Sequence, residues 1–249
     1  LAFIEDRNRL MVLNLETKKV RRITDGSTWY STGGGFDYAW SPDSKWFTLE
    51  FIGNKHDPYS DIGLVSAQGN GEIINLTNSG YSSGSPSFAL DGNAILFTTE
   101  RYGMRAHASW GSLDDAMLVF LNQDAYDKFS LSKEDYELYK EANSDRKKVA
   151  AKDSSKVKDV VVELKNIEDR IVRLTPNSSN MGNTLISKDG KTLYYLASTE
   201  SGRNLWKMDL NKKETKLLHK VDAGWTSLEM DKEGKTLFIL NGKNMQKMN

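Results

Sequence analysis

The chain has 249 residues, 34 basic and 34 acidic side chains, no cysteine, and a hydrophobic content of 38%. Balanced charge leaves no electrostatic footprint for nucleic acid or an anionic membrane surface, and the lack of cysteine excludes disulfides and thiolate metal sites. The apolar content suits a globular rather than a disordered chain, and no apolar run approaches the ~20 residues of a membrane-spanning helix.

Ala2 to Glu5, Arg9 to Leu15 and Lys19 to Thr24 read as short strands, with polar turns at Asp6–Asn8 and Glu16–Lys18. The pattern is already under way at Leu1, with neither Met nor a signal-like segment, so a piece of a longer protein is expected. Phe36 to Thr77 then supplies four strands, FDYAWSPD, KWFTLEF, DIGLVSA and EIINLT. Phe36, Tyr38 and Trp40 alternate with polar or small neighbours, as on a strand with one buried face. Trp46 to Phe51 is more continuously apolar, as on a strand covered on both faces. Gly33-Gly34-Gly35 is followed by no strand-to-helix transition and no Lys-Ser/Thr pair, so it serves the passage between units rather than a phosphate.

A third unit opens with Ser85 to Phe88, the Asp91-Gly92 turn and AILFTTE, and continues with a strand at Asp115 to Leu121. The pattern then turns helical over Asn122–Phe129 and Ser132–Asn143, with Ser132 as N-cap and Asp135 three residues on. Ser144 to Lys158 is rich in Lys, Asp and Ser and reads as a mobile loop or frayed helix. Val160–Leu164 and Arg170–Leu174 return to strand character. Thr184 to Lys220 repeats the strands as TLISKDG, KTLYYLAS, LWKMDL and TKLLHK, and a last, shorter set follows Trp225.

A turn lines up from set to set as Ser41-Pro42-Asp43, Asp91-Gly92, Lys188-Asp189-Gly190 and Lys232-Glu233-Gly234. A four-stranded unit repeated every 40–50 residues or so is the signature of a β-propeller. The expected fold is all-β, a partial or open propeller of about four to five blades of four antiparallel strands with one helical insertion. The blades fall at approximately 1–25 (partial), 26–78, 79–175 with the insertion at 123–158, 176–220 and 221–249 (partial). Trp40, Trp46, Trp206 and Trp225 recur near equivalent blade positions and are expected to pack between blades.

Catalytic signals are absent. The histidines are His56 in a polar turn, His219 at the end of an outer strand, and His107, and no Gly-x-Ser-x-Gly elbow or H-E-x-x-H motif accompanies them. No catalytic residue, no cofactor and no metal site is therefore expected. The run Arg146-Lys147-Lys148 reads as solvated, and the glycosylation patterns at Asn75-Leu76-Thr77 and Asn177-Ser178-Ser179 are short enough to arise by chance. More informative is the stretch that holds Arg101, Arg105, His107 and Trp110, which is too long for a tight hairpin. It could project into a channel or interface and contact or gate a peptide, reading its carboxylate through the planar donor fork of arginine. Alternatively, both arginines pair with nearby acids and Trp110 fills a gap between blades.

Glu100-Arg101-Tyr102-Gly103-Met104-Arg105, then His107, Ser109-Trp110-Gly111, Phe120-Leu121-Asn122 and LSKEDYELYKE, resembles the propeller region of tricorn-type serine peptidases, especially the bacterial homologues. Leu164 to Leu174 looks like the segment that follows the helical insertion in that family, and Ser41-Pro42-Asp43 is also common in TolB-like and prolyl-oligopeptidase propellers. The resemblance implies a propeller without chemistry of its own, gating or guiding peptides toward a peptidase core outside this chain. It also implies peptides or unfolded proteins as partners, together with the remaining domains of a parent chain and a possible homo-oligomer. Neither nucleic acid nor a membrane span is expected. A periplasmic or cell-envelope location is implied, although archaeal relatives are intracellular. A TolB-like interaction scaffold is the alternative.

Overall fold

The computed structural model describes residues 1–32, 34–53, 57–69, 71–105, 111–143, 157–199, 202–221, 226–231, 233–242 and 244–248. Five antiparallel sheets follow one another along the chain, each a simple meander. The first contains β1 (Ala2–Glu5), β2 (Arg9–Leu13) and β3 (Val20–Arg22). The second contains β4 (Tyr38–Trp40), β5 (Trp46–Phe51), β6 (Asp61–Ser66) and β7 (Ile74–Asn75). The third contains β8 (Ser83–Ala89), β9 (Ala94–Thr99), β10 (Asp115–Phe120) and β11 (Ile171–Arg173). β12 (Asn180–Ile186), β13 (Thr192–Thr199), β14 (Gly202–Asp209) and β15 (Glu214–Lys220) make the fourth. β16 (Thr226–Met230), β17 (Leu237–Asn241) and β18 (Asn244–Met248) make the last.

Equivalent hydrogen bonds show which strand is which. The N–H of Ile62 donates to Thr77 Oγ1 at 3.1 Å and that of Ala116 to Thr175 Oγ1 at 3.2 Å, each joining a third strand to the end of a fourth. The N–H of Leu10 makes the same bond to Thr24 at 2.9 Å, so β1, β2 and β3 are the second, third and fourth strands of their blade. At the first hairpin, Ser41 Oγ accepts from the N–H groups of Lys45 and Trp46, and Ser187 Oγ from those of Lys191 and Thr192. Asp231 Oδ1 accepts from the Lys235 N–H in the same place, which makes β16 an innermost strand. Innermost strands pack side by side, β4 with β8 and β12 with β16. The architecture is a set of propeller blades, and among the described residues no closed barrel forms.

The core lies between blades, because the inner strands are alternating ribbons with both faces covered. On β9, Ala94 and Leu96 face the fourth sheet, and Ile95 and Phe97 face the second. On β10, Ala116, Leu118 and Phe120 face one way, and Met117 and Val119 the other. Trp40 packs in the layer between the first two sheets, Trp46 in the next and Trp206 in the third; Trp225 lies outside the described residues. Full burial of Phe47, Phe97 and Phe120 contributes roughly 2–3 kcal/mol each in transfer free energy.

Between β10 and β11 the chain forms α1 (Gln123–Ser130) and α2 (Lys133–Ala142). Asn122 caps α1 by accepting from the Ala125 N–H, and Ser132 caps α2 by accepting from that of Asp135. Tyr126 and Phe129 hold α1 to the core, with ring centroids 5.7 and 5.0 Å from that of Phe120. The charged stretch expected to be mobile lies, over 144–156, outside the described residues. The strand expected at Val160–Leu164 is not one. The Val160 N–H is taken by Asp43 Oδ2 at 2.8 Å and the Glu163 N–H by the Leu121 carbonyl at 2.7 Å, so this segment crosses the hairpin ends instead of joining a sheet.

Candidate functional site

Antiparallel meanders sort the connections onto two ends. First-to-second and third-to-fourth turns share one end; second-to-third turns and the passages between sheets share the other. The loop of Arg101 and Arg105 joins β9 to β10, so it stands at the second end, opposite α1 and α2. Its two limbs pair with each other: the Leu113 N–H donates to the Met104 carbonyl at 3.2 Å, and Arg105 bridges to Ser112. Gly103 permits this approach, since a Cβ there would lie 1.7 Å from the Leu113 oxygen. At its base, Asp114 and Ser179 exchange two backbone hydrogen bonds of 2.8 and 3.0 Å. His107 and Trp110, both expected at this site, lie outside the described residues.

Arg105 is exposed and held by two rings from neighbouring connections. Its guanidinium lies 5.9 Å from the centroid of Tyr59 and 5.6 Å from that of Tyr81. Among the described residues it has no carboxylate partner. The Arg101 guanidinium lies 5.6 Å from the Tyr102 centroid and that of Arg173 4.9 Å from the same ring. Arg173 is committed elsewhere: its Nε and Nη2 donate to Asp115 Oδ1 at 3.0 and 2.9 Å. The pairing of Arg101 and Arg105 with nearby acids, the alternative left open by the sequence, is thus replaced by stacking on tyrosines. Stacking fixes the plane of a guanidinium while leaving its edge donors free.

Three acids of this end, Asp115, Asp114 and Glu50, are turned inward. Asp115 is fully buried and also accepts from Thr175 Oγ1 and Ser178 Oγ, both at 2.7 Å. Burial, then the charges of Glu100 and Asp115, raises the Asp114 carboxyl to about 6. Between the innermost strands, Glu50 Oε1 accepts from the Ser85 N–H at 2.7 Å, and its Oε2 from the Asp37 N–H at 3.3 Å. Burial raises the Glu50 carboxyl; the Ser85 N–H opposes that shift and the Asp37 charge adds to it. The result is an exposed pair of arginines beside two carboxyls, Asp114 and Glu50, whose burial favours the neutral form, a surface suited to an anionic group.

His219 sits half-buried in β15 and makes no hydrogen bond to a hydroxyl among the described residues; His56 lies outside them. No cluster of His, Asp and Glu among the described residues is arranged to hold a metal. Tyr59 and Tyr81 are the site residues that sequence reading missed. Each belongs to a connection at the same end as Arg105, and strand parity alone would have gathered all three there.

No protein-family model and no curated protein matches the chain. Similar folds are found among solved structures. The tricorn protease aligns with a TM-score of 0.64 and 12% identity, over 98% of this chain and 23% of that one. A putative TolB from Agrobacterium tumefaciens aligns with a TM-score of 0.60 and 13% identity, over 98% of this chain and 70% of that one. TolB from Acinetobacter baumannii aligns with a TM-score of 0.55 and 15% identity, over 95% of this chain and 44% of that one. The chain thus spans under a quarter of the tricorn protease and under half of the Acinetobacter TolB. At such identities the likeness is one of fold: a β-propeller scaffold, with no helix among the described residues long and apolar enough to cross a membrane.

Proposed function

We propose that this propeller binds peptides at the end carrying Arg101 and Arg105, and that it gates or guides them toward a peptidase core outside the chain, as part of a tricorn-like serine peptidase. The observation that carries the reading is Arg105, exposed, stacked between Tyr59 and Tyr81, and without a carboxylate. Such a fork is pre-organised for a planar anion, and a peptide's terminal carboxylate is the anion that every peptide offers. His107 and Trp110 belong to the same loop and are assigned to the same contact. The propeller itself is noncatalytic on this reading.

The test compares fluorescent peptides ending in a free carboxylate with their C-terminal amides. Free acids should bind about tenfold more tightly, and Arg105→Ala should abolish the preference. Equal binding of acid and amide, or turnover of a fluorogenic peptide blocked by a serine-directed inhibitor, would overturn the proposal. A TolB-like interaction scaffold is the second reading, favoured by the 70% coverage of the Agrobacterium protein; capture of a folded partner without discrimination of peptide ends would support it. A cell-envelope location accompanies both readings, and recovery of the protein in the cytosolic fraction would remove it.

A further inference from the structure

A cavity of about 430 Å³ lies at the opposite end, between the helical insertion and the turns of the third and fourth sheets. Its existence follows from how the helices are held. α1 is anchored by Tyr126 and Phe129, whereas α2 has no buried residue and lends the cavity a single apolar side chain, Tyr136. α2 therefore stands off the turns, and Leu90, Phe129, Leu131 and Tyr136 supply apolar surface to the gap.

The rim is charged, and the two signs are not equivalent. Lys128, Lys133, Lys188, Lys191 and Lys212 line it, and none is in an ion pair among the described residues. Lys191 lies 5.7 Å from the Tyr136 centroid, which places its ammonium against the apolar wall. Three of the four rim carboxylates are engaged, each through one oxygen. Asp189 accepts from Ser187 Oγ at 2.6 Å and the Lys191 N–H at 3.1 Å, Asp209 accepts from the N–H groups of Asn211 and Lys212, and Glu137 pairs with Lys140. Five lysines thus face four carboxylates, one of which is already paired with Lys140, so the rim is net cationic.

We infer that this cavity is a second binding site, and that its ligand is a short acidic peptide segment in which carboxylate side chains flank an aromatic or leucine residue. The apolar residue would enter against Phe129 and Tyr136 while the flanking carboxylates meet the lysines. A nucleic acid fits less well, because its phosphates would line up against the four rim acids as well as the lysines, and the chain carries no net positive charge.

The probe is a fluorescein-labelled hexapeptide, blocked at both ends, with glutamates on either side of a phenylalanine, followed by anisotropy. Blocked ends remove the terminal carboxylate, so the outcome is independent of the Arg105 reading. Saturable binding is expected, weakened about tenfold in Lys133→Glu/Lys212→Glu and lost when glutamine replaces glutamate in the peptide. Lys133 opens α2, where a glutamate suits the helix dipole, so this variant should fold. Lys128→Gln/Lys191→Gln gives an independent check and should also weaken binding, whereas Arg105→Ala should leave it intact. No saturable binding, equal binding of the glutamine peptide, or binding untouched by both lysine variants would overturn the assignment.

Discussion

Asp61 and Asp115 occupy the same place in adjacent sheets, at the start of a third strand, and both are buried. Asp61 accepts from Thr77 Oγ1 at 2.7 Å, the Ser79 N–H at 2.9 Å and Asn75 Nδ2 at 2.9 Å, while Asp115 accepts from Thr175, Ser178 and Arg173. The carboxylate thus ties the end of the outer strand to the passage into the next sheet. In the first sheet the place is held by Arg9, and only the Thr24-to-Leu10 bond remains. Asp115→Ala should therefore cost about 3 kcal/mol, because it strands a guanidinium and two hydroxyls, and Thr24→Val about 1 kcal/mol; urea melts of both variants test the difference. Ile23-Thr24, Leu76-Thr77 and Leu174-Thr175 stand at equivalent places in the sequence, but their partners sit on another strand and no local pattern reveals them. Asp114 behaves differently. Its folded pKa of about 6 lies above the ordinary 3.8, so the folded state binds the proton more tightly. Its ionisation destabilises the fold fully above pH 6, and the penalty fades as pH falls toward 3.8. Asp114→Asn should then raise stability at pH 7 by on the order of 1 kcal/mol, allowing for solvent screening of a half-buried group, and lose that advantage near pH 4. A constant difference between the two proteins across this range would contradict the assignment.

At the scale of elements, legibility followed burial symmetry. β5 is covered on both faces, so the continuous apolar run Trp46–Phe51 pointed to an inner position of a stacked sheet, and the turns that precede β5, β9, β13 and β17 marked the repeat. α2 was legible from its cap, because Ser132 satisfies an N–H group that nothing else at the helix start can reach, whereas the cap of α1, Asn122, emerges only in the structure. Val160–Leu164 misled for the opposite reason: Val160 and Val162 do face the core beside Ile95 and Phe97, but the segment's hydrogen bonds go to Asp43 and Leu121, which no periodicity encodes. Since α2 has no buried residue, its cap carries an unusual share of its stability. Ser132→Ala should cost roughly 1 kcal/mol and appear as faster amide exchange confined to 133–142. Phe129→Ala should instead loosen α1 from Phe120 and lower the cooperative transition of the whole chain by about 2–3 kcal/mol, discounted for the partial exposure of the ring. Unchanged exchange in α2 after the cap is removed would mean that contacts with the turns, rather than the cap, hold that helix.

The whole molecule is a row of blades whose middle members have four strands and whose outer members have three. The first sheet has no counterpart of β4, β8 and β12, and the last has no counterpart of β7, β11 and β15. Among the described residues no strand of the first sheet pairs with a strand of the last, so β1 and β18 each present an unpaired edge. On β18 this edge is also poorly protected: Met245 is 67% exposed, and Lys247 is the strand's only charged residue. Open edges are templates for further strands, whether from other domains of a longer chain or from a second copy. The purified chain should therefore associate, with its mass in sedimentation rising with concentration. Met245→Lys places a charge on the edge without touching a buried side chain, so it should shift association toward monomer while leaving the melting temperature unchanged. A mass that stays monomeric at high concentration, with slow amide exchange at Ala2, Ile4 and Met245, would mean that the two edges are sealed against each other in solution.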